Sequence, residues 1–226
     1  AATSLAKTTL NYWRTQLLWQ LDGESPPPDA AAVFAAMRTL REQTTPNTSY
    51  SGEVLPGIAP QRDKTKWTTR AVRIATLNDG VTPIDSNTAG ESVCVRSITT
   101  RSQTTTGDPD YRTLDTSDAV VPDYVRDTVR LEWLYTFLVS NRYVRPDPAP
   151  EEPVPQTGVA YPRLWNSTVE RILLELEEQL ILTQVAANPP RSTFNVTAKR
   201  IATRIPTVRL PTQEQMEVVV DPLNVA

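Results

Sequence analysis

The sequence predicts an α+β fold, in which helices and strands occupy separate stretches of the chain. Apolar residues recur at helical spacing in several segments, and they alternate with polar residues in a few short ones. In addition, 20 prolines and 31 threonines favour ordered loops and extended backbone between these segments. The 226 residues are enough for one large domain or two small ones.

Helical spacing near the amino terminus predicts a first helix over residues 4–21. A second helix is predicted over residues 30–41, with Asp29 at its start. Close packing of this helix against a neighbour is predicted from its small residues, which are Ala31, Ala32, Ala35 and Ala36. A short third helix is predicted after Thr68 or Thr69, and it ends near Leu77.

Two longer helices are predicted in the second half of the chain. The segment from Asp118 or Asp123 to Leu138 has apolar residues on more than one face, which indicates burial on two sides. The other helix is predicted over residues 168–186, because Ser167 and Glu170 have the spacing of a capping box. Between them, residues 145–162 are rich in proline, which is typical of an extended connector.

Strand-like patterns are short. Residues 93–98 alternate in polarity and place Cys94 in a buried position, and the turn Asn78-Asp79-Gly80 leads into a further extended segment, residues 81–84. Two more strands are predicted at 193–200 and 216–220. The last of these comprises Met216, Glu217, Val218, Val219 and Val220. A short apolar strand of this kind needs a sheet edge with which to pair.

Composition excludes several classes of function. The chain has no histidine and one cysteine, which excludes His-based catalysis, His-ligated metals and internal disulfides. Its net charge of −3 does not suggest nucleic-acid binding, and no apolar run is long enough for membrane insertion. The 19 arginines against 4 lysines favour forked, geometry-specific ion pairs of the kind found at interfaces.

Acidic residues leave two questions open. Paired carboxylates can catalyse hydrolysis without histidine, and the candidate pairs are Asp108 with Asp110 and Glu151 with Glu152. All four lie in polar loops with no sign of a pocket that would tune them, so a catalytic role is not expected. On the last helix, Glu175, Glu177 and Glu178 form either a solvated face or a contact with a partner.

Four short motifs occur in an order that resembles the tail sheath proteins of contractile-tailed bacteriophages, particularly their Mu-like branch. They are Leu-Pro-Gly-Ile-Ala-Pro at 55–60, Trp-Thr-Thr-Arg at 67–70, Leu-Asn-Asp-Gly-Val-Thr-Pro-Ile at 77–84 and Val-Cys-Val-Arg-Ser-Ile-Thr-Thr-Arg at 93–101. The resemblance covers residues 30–101 best. It implies a partial α/β sheath core over residues 1–98 and a small α+β carboxy-terminal domain over 99–226, with an exchanged terminal strand. Because family members are longer, it also implies that the chain is the carboxy-terminal half of a sheath subunit.

The resemblance implies a structural protein of the virion tail rather than an enzyme, with no cofactor or metal. Its partners are other copies of the chain, stacked as rings, together with the tail tube protein and the baseplate and tail terminator proteins. Assembly takes place in the host cytoplasm, and contraction drives the tube through the host envelope. Residues 216–220 are the natural strand donor to a neighbouring subunit, while Glu175, Glu177 and Glu178 are candidates for a tube or neighbour contact. Two alternatives remain open, a host-surface adhesin or virion decoration module, and a carboxylate-dependent hydrolase.

Overall fold

The structure is a computed structural model that describes residues 2–110, 112–141, 143–148 and 157–209. These residues form two compact units, the first from the described residues within 2–41 and 48–116 and the second from those within 42–47 and 117–209. Helices and small sheets occur in both, which confirms the predicted α+β class. Within the described ranges, no helix has the length and apolar character needed to cross a membrane. The predicted domain boundary after residue 98 stays a prediction.

The first unit is built around a three-stranded sheet. Its elements are α1 (Ala2–Ser4), a π-helical segment (Leu5–Leu10), β1 (Leu18–Gln20), α2 (Pro27–Glu42), a 3₁₀ turn (Lys64–Lys66), α3 (Arg70–Asn78), β2 (Thr82–Ser86) and β3 (Ser92–Cys94). The central strand β2 is buried along its whole length, parallel to β1 and antiparallel to β3. Phe34 of α2 packs with Tyr50, Leu55, Ile84 and Cys94, which confirms that Cys94 is a core residue.

The predicted helix over residues 4–21 is wrong beyond Leu10, because tertiary hydrogen bonds replace helical ones from that point. Asn11 has a positive φ of 22°, and its side-chain amide donates to the carbonyl of Gln103 at 2.9 Å. The Tyr12 amide donates to the hydroxyl of Thr100 at 3.0 Å. Further on, Leu18–Gln20 becomes β1, since its backbone pairs with β2. Contacts distant in sequence therefore override the local helical pattern.

Helix α2 confirms the predicted second helix, but its packing face differs from the predicted one. Ala30 and Phe34 are buried and Val33 and Met37 pack beside them. The four alanines expected to pack closely, at positions 31, 32, 35 and 36, are all exposed. The large side chains spaced three and four apart define the buried stripe, and the alanines fall on the opposite side.

Helix α3 confirms the predicted cap, because the hydroxyl of Thr69 accepts from the Val72 amide. The helix ends in a Schellman motif, in which the Gly80 amide donates to the Leu77 carbonyl at 3.0 Å and the Val81 amide donates to the Thr76 carbonyl at 3.1 Å. Gly80 has a φ of +79°, as the motif requires. The turn directs the chain into β2, as the sequence predicts. The predicted strand over residues 93–98 is shorter, since β3 ends at Cys94.

The second unit is mostly helical. Its elements are α4 (Ser117–Glu132), a π-helical segment (Trp133–Phe137), α5 (Leu138–Ser140), β4 (Tyr143–Val144), β5 (Val159–Ala160), α6 (Pro162–Glu178), β6 (Arg191–Asn195) and β7 (Arg200–Arg204). The core lies between α4 and α6, where Val121, Val125, Val169 and Leu173 are at most 1% exposed. The long helical segment after Asp118 is thereby confirmed. Trp165 packs against both Trp133 and Phe137, with ring centroids 4.8 Å apart in each pair.

Helix α6 begins five residues before the predicted capping box. Pro162 occupies the first turn, where its missing N–H costs nothing, and the carboxylate of Asp147 accepts from the Arg163 amide at 3.0 Å. Ser167 is therefore inside the helix, and its hydroxyl donates to the Arg163 carbonyl at 3.1 Å rather than capping an end. The helix also ends earlier than residue 186, because Leu180 adopts a positive φ of 60°.

The strand predicted over residues 193–200 is a hairpin instead. Strands β6 and β7 pair antiparallel, and residues 196–199 form the turn between them. Asn195 stabilises this turn, since its side-chain oxygen accepts from the Ala198 amide at 2.8 Å. The predicted terminal strand, Met216–Val220, lies outside the described residues.

Candidate functional site

The β6–β7 hairpin is held on the second unit by one of its two faces. The indole N–H of Trp165 donates to the Thr203 hydroxyl at 3.0 Å, and that hydroxyl lies 3.0 Å from the hydroxyl of Ser192 across the hairpin. Ile201 packs beside the same core. Residues at alternate positions of both strands are thus half-buried, and the others are exposed, as expected for a sheet with one solvated face.

Both edges of this hairpin are open within the part of the chain that the structure describes. Its sheet has two strands, and neither β6 nor β7 pairs with a third. An edge strand presents unpaired N–H and C=O groups that can bind the backbone of another strand. The hairpin is therefore a suitable acceptor for strand addition.

A groove runs between α4 and the β7 side of the hairpin. Its volume is about 480 Å³, and its lining includes Val125, Val129, Trp133, Trp165, Ile201 and Ile205. Arg126 and Arg130 of α4 also line it. A strand added at the edge of β7 would place alternate side chains against this apolar surface, and its other side chains would face solvent. The groove therefore favours an added strand with apolar residues at every second position.

The sequence-predicted acidic residues of α6 do not share one environment. Glu175 is exposed and forms an ion pair with Arg171, four residues earlier. Glu177 is half-buried, and its carboxylate accepts from the Val185 amide at 3.3 Å, which ties down the chain after the helix. Glu178 is exposed and has no ion pair among the described residues. Of the three, only Glu178 combines exposure with an uncompensated charge.

Asp108 and Asp110, the described pair of candidate hydrolytic carboxylates, are both held by hydrogen bonds from neighbouring side chains. Asp110 is buried and accepts from the guanidinium groups of Arg101 and Arg112, with four N···O distances between 2.8 and 3.0 Å. Asp108 is exposed and accepts from the Thr106 hydroxyl at 2.8 Å. The hydrogen bonds from Arg112 and then Arg101 hold the pKa of Asp110 well below its usual range. A carboxylate that stays ionised in this way cannot act as a general acid.

This arrangement predicts a defined dependence of stability on pH. Because the pKa of Asp110 is lower in the folded state, its ion pairs stabilise the fold above the ordinary aspartate pKa of about 3.9 and lose this contribution as pH falls toward the folded-state pKa. We expect Asp110→Asn to be less stable than wild type at pH 7 and to lose less stability on acidification below about pH 4. Urea unfolding at pH 7 and pH 3 measures both differences. Asp108→Asn is the control, and equal pH dependence in Asp110→Asn and wild type would contradict the assignment.

No group of three or more His, Cys, Asp or Glu side chains in the described ranges is arranged to hold a metal ion. The second candidate pair, Glu151 and Glu152, lies outside those ranges. Asp108 and Asp110 are both engaged by neighbouring side chains of the same loop. The described geometry therefore gives no support to the hydrolase alternative.

Several residues of the surface around the β6–β7 hairpin were not identified from the sequence. They are the groove residues of α4 and β7 and three outward arginines, Arg191, Arg200 and Arg204. The period-two pattern of Arg-Ser-Thr-Phe-Asn and Arg-Ile-Ala-Thr-Arg is the signal that could have placed those arginines on one face. The groove had no such signal, since it forms only when α4 and the hairpin come together.

By sequence, no protein-family model and no curated protein matches the chain. By structure, the chain is similar to the sheath complex of an extracellular contractile injection system (PVC) in its contracted state, with a TM-score of 0.63 and 12% identity over 98% of this chain and 59% of that chain. It is also similar to the contracted helical sheath of the anti-feeding prophage, with a TM-score of 0.58 and 13% identity over 92% of this chain and 61% of that one.

A third similar structure is a chain of the anti-feeding prophage baseplate, with a TM-score of 0.58 and 11% identity over 86% of this chain and 50% of that chain. The chain therefore spans between half and about three fifths of the length of these three structures. At these identities the likeness shows the fold. The chain shares its fold with the matched part of these contractile sheath proteins.

Proposed function

We propose that the chain is a structural subunit of a contractile sheath, which polymerises around a tail tube and contracts to drive the tube through the host envelope. The observation that carries this proposal is the likeness to a contracted sheath complex over nearly the whole chain. The same proposal places the chain in the Mu-like branch of tail sheath proteins and takes it as the carboxy-terminal half of a sheath subunit. A sheath subunit needs no cofactor, since the stored energy is the difference between two packings of one lattice.

Strand exchange is the proposed link between subunits. The acceptor is the β6–β7 hairpin, whose edges are open in the described part of the chain. The donor is the segment 216–220 of a neighbouring copy, whose Met216, Val218 and Val220 fall on one face of an extended strand. That face is apolar, as the groove beside β7 requires. Backbone hydrogen bonds keep the copies connected while other interfaces slide.

The remaining partners belong to the same proposal. The proposed partners besides other copies of the chain are the tail tube protein and the baseplate and tail terminator proteins. The proposed location is the virion tail, after assembly in the host cytoplasm. Glu175, Glu177 and Glu178 stay candidates for a tube or neighbour contact, with Glu177 also holding the chain at Val185. The apolar groove would also suit an adhesin, but the fold likeness favours the sheath.

Electron microscopy of particles that contain this chain tests the proposal directly. We expect the chain to repeat helically around a central tube, in an extended and a contracted form of different pitch. A chain found instead at isolated positions on the particle surface would support the adhesin or decoration module and overturn the sheath.

Removal of the donor segment should abolish assembly without unfolding the subunit. We expect the chain lacking residues 215–226 to give normal far-UV circular dichroism but no ordered sheaths by electron microscopy, because each copy loses its strand for the next. Normal contractile sheaths from this truncated chain would contradict strand exchange.

A pair of point variants sharpens this test. Val218→Glu puts a charge on the apolar face of the donor strand, whereas Val219→Glu puts the same charge on the face that already carries Glu217 and Asp221. Sheath assembly should fail in the first variant and persist in the second. Equal loss in both would contradict the assignment of the apolar face to the groove.

A further inference from the structure

The outward face of the β6–β7 hairpin carries only positive charge. Arg191, Arg200 and Arg204 are exposed on this face, and Lys199 lies in the adjoining turn. None of the four has an ion pair or a side-chain hydrogen bond with any residue in the described ranges. We call this surface the basic face.

The pairing register places two of these charges directly opposite each other. Arg191 of β6 pairs with Arg204 of β7. Opposite residues on one face of a sheet have Cβ atoms about 4.5–5.5 Å apart, and like charges at this distance destabilise the sheet. The two arginines also border a depression of about 280 Å³ with Pro189 and Pro206. An anionic partner at this position would turn the repulsion into two favourable contacts.

The same unit has a negative surface of matching form on α6. Glu170, Leu174 and Glu178 are exposed and four residues apart, so they form one ridge of the helix. Neither glutamate has an ion pair with a described residue, whereas the neighbouring Arg171 is already paired with Glu132 and Glu175. We call this surface the acidic ridge.

The two surfaces also agree in spacing. Glu170 and Glu178 are eight residues apart on a helix, which is about 12 Å along its axis. Arg200 and Arg204 are four residues apart on a strand, which is about 13 Å. Between the arginines the basic face has only small side chains, Thr193 and Ala202, which pair with each other across the hairpin. This gap fits the single apolar side chain of the ridge, Leu174, which is 42% exposed.

We propose that the basic face of one copy docks on the acidic ridge of a second copy, with a glutamate at each end and Leu174 over Ala202. This inference rests on the proposed function, because both require copies of the chain to associate with one another. It also assigns Glu178 a binding partner, which is the basic face of a second copy. The two surfaces differ, so the contact is heterologous and leaves each copy with one surface free for the next. Such a contact generates a ring or a helix rather than a closed dimer.

Charge exchange between two chains tests this contact. Chain X carries Arg200→Glu and Arg204→Glu, and chain Y carries Glu170→Lys and Glu178→Lys. In each chain alone, the side chains that meet at the two ends of the contact have the same sign, glutamate against glutamate in X and arginine against lysine in Y. We therefore expect self-association at least about tenfold weaker than wild type by sedimentation velocity. In an equimolar mixture, every X–Y contact joins opposite charges, so assembly should return to within about threefold of the wild-type level.

The controls separate this contact from general charge effects and from the proposed function. Arg62→Glu with Arg70→Glu changes net charge as chain X does, on exposed arginines of the first unit, and should assemble like wild type. Wild-type assembly by X and Y alone would overturn this contact and leave the sheath proposal intact. If chain X loses self-association and mixing with chain Y does not restore it, this contact is overturned, and the basic face binds another acidic partner instead. A wild-type chain that stays monomeric at about 1 mM would overturn both proposals.

A second readout distinguishes docking from simple damage to the hairpin. Arg204→Glu places a glutamate opposite Arg191, so it replaces a repulsive cross-strand pair with an attractive one. We expect the Tm of the unassembled chain to rise by about 1–5 °C while self-association weakens. A fall in Tm together with lost assembly would indicate unfolding of the hairpin and would count against the contact.

Discussion

Replacement of Gly80 by alanine should destabilise the first unit by about 2–5 kcal/mol. Gly80 has a φ of +79°, where a residue with a Cβ costs about 1–2 kcal/mol. In addition, a Cβ at this position would lie 2.7 Å from the backbone oxygen of Thr100, closer than van der Waals contact allows. The clash adds about 1–3 kcal/mol, as overpacking in a core does. Urea unfolding followed by circular dichroism measures the loss.

Thr100 cannot move away to relieve this clash without breaking other contacts. Its amide donates to the Thr15 carbonyl at 2.8 Å, and its hydroxyl donates to the Tyr12 carbonyl at 3.0 Å. The matched control is Gly90→Ala, because Gly90 has the same φ of +79° and open space around its Cβ direction. The difference between the two variants isolates the clash. Equal destabilisation by both would mean that only the backbone conformation matters.

Local signals in the sequence were sufficient where the structure depends on neighbouring residues. The Thr69 cap, the Asn78-Asp79-Gly80 turn and the helix over Pro27–Glu42 need only propensity, capping and a glycine with positive φ. These features are predicted correctly because their hydrogen bonds join residues within one or two turns. The approach of Thr100 to Gly80 is not among them, since the two are 20 residues apart.

Features that depend on distant residues were predicted incorrectly. Residues 11–21 have helical spacing, but bonds from Asn11 to Gln103 and from Tyr12 to Thr100 give a better arrangement in the folded chain. The capping box at Ser167 is a valid pattern, but Pro162 and the contact from Asp147 start the helix earlier. In both cases a tertiary hydrogen bond outweighs a local preference that is worth about 1 kcal/mol or less.

The candidate site shows the same limit. The sequence indicated the donor strand and an acidic helix face, both of which are continuous stretches of chain. The acceptor is discontinuous, because the groove joins Val125 and Val129 of α4 to Ile201 and Ile205 beside the hairpin. Only a folded second unit brings these residues together. A surface formed by one continuous segment is therefore predictable from its sequence pattern, whereas a surface formed by two separate segments is not.

The acceptor groove should depend strongly on Trp165. This side chain is 4% exposed, stacks edge-on with Trp133 at 4.8 Å between ring centroids, and donates to Thr203 of β7. Trp165→Ala removes both contacts and leaves a cavity, so we expect a loss of about 3–5 kcal/mol in the free energy of unfolding. It also frees the hairpin from α6, so strand addition should fail even below the unfolding transition.

Trp165→Phe separates packing from hydrogen bonding. Phenylalanine keeps most of the ring contacts with Trp133 and Phe137 but leaves the Thr203 hydroxyl without its indole donor, so the expected loss is smaller, about 1–2 kcal/mol. Urea unfolding ranks wild type, Trp165→Phe and Trp165→Ala by their free energies of unfolding. Binding of a synthetic peptide with the sequence of residues 212–222 measures whether the hairpin edge still accepts a strand. If the Trp165→Ala variant binds this peptide as tightly as wild type does, the hairpin keeps its acceptor geometry without its contact to α6. The packing of Trp165 in the groove would then not be what positions the hairpin.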